Sequence, residues 1–218
     1  MMPAQSDFYT PTGIHVYFKD ALKNQNIDVE EVVSHLESVV PSHLTAEIEM
    51  IIVGEFEEFT RRSINAFYEG GTLYISNIQD NSADMFDDII HETAHSLEQP
   101  YGYIIYGDGD VEKEFLSKRQ KLYDILWSNG YRIPQNVLLD PEYNEDLDMF
   151  LYKDIGYDKL SYLVQGLFIT PYAITSLREY FATGFTDFYL DPNNHSFLKK
   201  VSPFLYKKLT ELKDLGAN

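Results

Sequence analysis

Between Ser82 and Gln99 apolar residues recur at helical spacing, at Phe86, Ile90, Ala94 and Leu97, while Asp88, His91, His95 and Glu98 share another face. A segment with two such faces must rest on a core along one side and lie open along the other. Pro100 predicts its end, because proline removes a ladder hydrogen bond and its ring crowds the preceding turn. The residues before it supply a surface to pack on. Gly13 to Phe18 alternates toward a strand, Ile48 to Val53 is a β-branched run suited to a central strand, and Phe67 to Ile75 reads as two strands joined at Gly70-Gly71. Asp28 to Val40 carries apolar residues at helical spacing behind the capping candidate Asp28 and stops at Pro41.

Past Pro100 the pattern changes. Tyr101 to Asp110, with Gly102, Gly107 and Gly109, reads as a flexible loop, and helices are predicted over Val111 to Asn129, Leu160 to Phe168, Leu177 to Tyr189 and His195 to Leu215. Pro134 to Asp158 gives the weakest pattern. No repeat, low-complexity tract or long linker divides the chain. The expectation is therefore a single α+β domain over residues 1–218, with a sheet and the two-faced helix in 1–100 and a helical sub-domain in 101–218. A composition that is 44% hydrophobic can bury a core of that size.

Cysteine is absent, so any metal must be held by imidazole and carboxylate. Seventeen basic against 35 acidic residues give a net charge of -18, which repels phosphate backbones and anionic headgroups and argues against nucleic acid or a membrane as partner. Such a surface favours a basic or neutral substrate, or serves solubility alone. No stretch has the length to span a bilayer. Met1 to Asp7 lacks the basic start and apolar run of a signal peptide, which points to a cytoplasmic protein or one released by a non-classical route, with a secreted mature form left open.

Within the two-faced helix, His91-Glu92-Thr93-Ala94-His95 matches H-E-x-x-H. Residues four apart on a helix project together, so both imidazoles can reach one tetrahedral zinc ion. Glu92 then stands beside the metal, where its carboxylate can take a proton from water and return it to a leaving amine. Copper or nickel could occupy the same donors in vitro. A catalytic zinc has three protein ligands and an open position, so a third is needed. Glu98 shares the face of His91 but stands roughly 10 Å farther along the helix axis, which suits a surface role or a supporting contact better than ligation. Glu179 heads a helix in which aromatic core residues follow, yet Ser176 to Glu179 also fits a capping box, and the residues alone leave those two readings balanced. Asp87 and Asp88, one turn before His91, could orient an imidazole or simply face the helix dipole. His15, His35, His43 and His195 have no partner at metal spacing and read as solvated or locally bonded.

HETAH followed by Tyr172, Glu179, Tyr180, Phe181, Ala182 and Phe185 resembles the catalytic domain of anthrax lethal factor and the related clostridial Pro-Pro endopeptidases, a branch of the gluzincin metallopeptidases. The resemblance rests on these two segments. It implies a zincin-like fold, one catalytic zinc on His91, His95 and Glu179, Glu92 as general base, and Tyr172 as the donor to the oxyanion. The chain departs from the family pattern at Thr93-Ala94 and at Thr183-Gly184, and none of these is a ligand position.

The expected activity is that of a zinc metalloendopeptidase, acting on a protein or peptide substrate as a monomer. The cleft is expected between the two halves, with Thr72 to Asn77 as the sheet edge that pairs with an extended substrate. Two alternatives use the same residues: a zincin-derived binding or assembly module that keeps its metal but cleaves little, and hydrolysis of a non-peptide amide. An intact Glu92 counts against the first, because a structural zinc needs no base beside it.

Overall fold

The hairpin forms where the sequence places it: Gly70 and Gly71 both take positive φ, 53° and 84°, which turns the chain tightly between two antiparallel strands. The computed structural model describes residues 6–217 and is α+β. Its strands are β1 (Phe8–Tyr9), β2 (His15–Phe18), β3 (Met50–Gly54), β4 (Ala66–Glu69) and β5 (Thr72–Ser76). Its helices are α1 (Val29–Val39), α2 (Glu57–Arg62), α3 (Ser82–Ser96), α4 (Glu98–Tyr106), α5 (Asp110–Ser128), α6 (Gln135–Leu138), α7 (Glu145–Met149), α8 (Tyr157–Leu163), α9 (Leu177–Leu190), α10 (Ser196–Val201) and α11 (Pro203–Asp214). Of the stretch read for a leader, residues 1–5 lie outside the described residues. Among the described residues no helix is long and apolar enough to cross a membrane.

The chain divides into two compact units, one comprising the residues up to Pro100 together with those from Leu212 onward, the other Tyr101–Glu211. In the first, the sheet order is β1-β2-β3-β5-β4, with β2, β3 and β5 parallel and β1 and β4 antiparallel at the edges. Val16, Ile51 and Leu73 pair in one row and are fully buried, as are Val53 and Ile75 one step along, so one sheet face carries the core. Helix α3 packs against β4, β5 and α1. The Asp28 side chain accepts from Glu31 N–H and starts α1, as the sequence predicts.

The topology overturns one expectation. Thr72 to Asn77 is not a sheet edge, because β5 is held on both sides, by β3 and by β4; the end strands are β1 and β4. Register and strand order are settled by pairings distant in sequence, which the alternation of side chains within one strand does not encode.

The second unit is built from helices. The rings of Phe115, Phe168 and Tyr180 meet in its centre. The Glu114 carboxylate, nearly buried among them, accepts from the Tyr180 hydroxyl at 2.8 Å and from the N–H groups of Phe204 and Leu205, so that it caps α11 from a distance. Helix α9 approaches α11 so closely that a Cβ at Gly184 would stand 3.0 Å from Leu205 Cγ and collide with its methyl. That contact explains why glycine follows Thr183.

Two more helix readings are corrected. The segment after His95 breaks at Leu97, and α4 then runs through Pro100 and most of the expected loop. Proline at 100 cannot donate to the Ser96 carbonyl, so the ladder fails one turn upstream, while the same residue is tolerated in the first turn of a new helix. The helix predicted over His195 to Leu215 is likewise two, α10 and α11, parted at Ser202 ahead of Pro203. The region of weakest pattern folds as α6, α7 and a π-helical turn, Phe150–Ile155.

Candidate metal centre

Helix α3 begins at Asn81, whose side chain accepts from Asp84 N–H at 2.9 Å. Its packed face holds Ile89, Ile90, Thr93 and Ala94, all fully buried. The Thr93 hydroxyl donates to Ile89 O and the Ser96 hydroxyl to Thr93 O, each at 2.7 Å, so the two buried hydroxyls are satisfied within the helix. With that face fixed, His91 and His95 come out together on the half-buried side, their ring centroids 5.1 Å apart at 75°.

The Glu179 carboxylate joins them. One ligand atom from each of His91, His95 and Glu179 lies within 4.8 Å of the others, and all three residues are half-buried. Among the described residues this is the group of three potential metal ligands that comes together so. Two imidazole nitrogens and one carboxylate oxygen suit zinc, and they leave one position open. The group could hold a metal ion; the same donors also accept other first-row ions.

His95 is oriented by its neighbour. Its Nδ1 lies 2.7 Å from Glu98 Oε1, a contact that a proton on Nδ1 would make a hydrogen bond, which would leave Nε2 to serve as a ligand atom. Glu98 thus makes a supporting contact to His95, the kind of role the sequence favours for it over ligation.

Glu179 sits in the first turn of α9, where Ser176 Oγ accepts from its N–H at 3.1 Å. The Ser176 bond of the capping box is therefore present, and it fixes the turn that bears Glu179. Glu92, between the histidines, is 9% exposed. Tyr172 lies in a 3-10 turn, Tyr172–Ile174, just before α9, and its side chain is partly exposed. Asp88 accepts from Gln79 Nε2 at 3.1 Å, and burial foremost pushes its carboxyl up to about 6. With Gln79, Asp80, Asp84 and Asp87 it lines a recess of about 380 Å³.

The remaining histidines behave as local groups. His43 bonds Leu212 O at 2.8 Å, His195 bonds Phe188 O at 2.9 Å and stacks on Phe188, and His15 stacks on Tyr9. Sequence reasoning passed over Arg119, which is fully buried in α5. The signal was there: Arg119 is in phase with Phe115, Leu122 and Leu126, on the apolar stripe.

No family model, curated protein or solved structure matches the chain.

Proposed function

We propose that the protein is a zinc-dependent endopeptidase of zincin-like fold, similar in its site to the lethal factor and Pro-Pro endopeptidase branch of the gluzincins. The observation that carries this reading is the convergence of His91, His95 and Glu179, ligand residues far apart in sequence, around a helix that also bears Glu92. A zinc ion held there would supply Lewis acidity, polarising the scissile carbonyl and acidifying water toward a pKa of roughly 7. The Glu92 carboxylate takes the proton from the attacking water and delivers it to the departing amine nitrogen. The Tyr172 phenol donates its O–H to the developing oxyanion. As an end strand of the sheet, β4 is the one proposed to offer main-chain groups to an extended substrate, so that binding is led by the backbone and tuned by side-chain pockets.

The test is peptide-library cleavage by the zinc-loaded protein and by Glu92→Gln at equal zinc content. The wild type is expected to cleave, and the variant to lose about 10²- to 10⁴-fold, the usual worth of a general base. Equal background from both would identify a binding or assembly module in place of an enzyme.

A further inference from the structure

Arg119 is 0% exposed, a position where a guanidinium is costly unless its donors are met. Burial lowers its pKa to about 10, so it remains charged at neutral pH. Nε donates to Ile174 O at 2.9 Å, Nη2 donates to the same oxygen, and Nη1 donates to Leu138 O at 2.9 Å and to Asp140 O. The Phe115 ring lies 4.5 Å from the guanidinium carbon. The planar fork is thus engaged by main-chain carbonyls.

Those carbonyls belong to two segments that fix the start of α9. Ile174 ends the 3-10 turn that begins at Tyr172 and precedes Ser176, the residue whose hydroxyl caps Glu179 N–H. Leu138 and Asp140 lead to Pro141, whose carbonyl accepts from Leu177 N–H, the first of α9, at 2.8 Å. One cation therefore braces both pieces of chain that hold the turn bearing Glu179.

We propose that Arg119 is a positioning residue of the metal centre, setting through the main chain of residues 138–141 and 172–176 where the Glu179 carboxylate is presented. The proposal rests on the reading of His91, His95 and Glu179 as zinc ligands. Lysine cannot replace it, since a flexible ammonium lacks the rigid fork that serves three carbonyls at once.

The test is the zinc affinity of Arg119→Lys and Arg119→Gln, by competition with a chelating dye at a temperature where circular dichroism shows each variant folded. Arg119→Lys is expected to bind zinc about 10- to 100-fold more weakly, the range seen when a group supporting a ligand is lost, and Arg119→Gln no better. In a Glu179→Ala background Arg119→Lys is expected to add less than about a twofold loss, because the two changes act on one interaction. A purely structural arginine would lower the melting temperature and leave the folded protein's zinc affinity unchanged. That result overturns the proposal, as would an equal loss with and without Glu179, or failure of both variants to fold in excess zinc. A wild-type chain that binds no zinc overturns the zinc reading and the proposal together, whereas tight wild-type binding matched by Arg119→Lys overturns the proposal alone.

Discussion

Glu98 reaches His95 from the residue after a helix break, and that short contact separates an imidazole that is merely nearby from one whose ring is fixed. In the proposed metal centre the carboxylate would select the tautomer and raise the basicity of the other ring nitrogen. Glu98→Ala is therefore expected to weaken zinc binding about 10- to 100-fold while the protein stays folded, as a chelator competition would read. At this scale much was legible: the spacing of His91 and His95 follows from the helix period, and Glu92 comes with it. The supporting residues were harder to read. Glu98 is far along the helix axis from His91, and the pairing that forms is with His95, three residues away. Arg119 stands in the run Lys118-Arg119-Gln120-Lys121, which looks like a solvated face until its phase with Phe115 and Leu122 is counted.

Prolines mark two of the places where one helix gives way to the next. Pro203 starts α11 and Pro100 lies in the first turn of α4, positions where the missing N–H costs nothing, so each marks a new helix and each ends its predecessor a few residues earlier. Caps at Asp28 and Ser176 and the glycine pair of the hairpin were readable because each acts through its own neighbours. Strand order was not, since β5 gains its second partner through a pairing with β3 that no local pattern encodes. Packing of α9 on α11 gives an element-scale prediction. Gly184→Ala gains about 1 kcal/mol of helix propensity but forces Leu205 aside, a strain of about 1–3 kcal/mol, so a net loss of about 1 kcal/mol is expected in denaturant unfolding. Combining it with Leu205→Ala is expected to cost less than the two changes summed, because the added methyl then enters vacated space.

For the molecule as a whole, the α+β class and the division of labour along the chain, strands first and helices later, were readable from the order of the periodic segments. Tertiary convergence was not: the spacing of residues within Ser176 to Glu179 fits a cap and a ligand equally, and the Ser176 cap is present in a chain whose His91, His95 and Glu179 form a group that could hold a metal ion. The proposed function requires these three side chains to grip one zinc ion. Equilibrium dialysis against buffered zinc, followed by elemental analysis, tests it on the wild type and on His91→Ala, His95→Ala and Glu179→Ala. One zinc per wild-type chain and a loss of tight binding in each variant are expected; a wild type without stoichiometric zinc, or a Glu179→Ala that binds it as tightly as the wild type, would overturn the zinc reading.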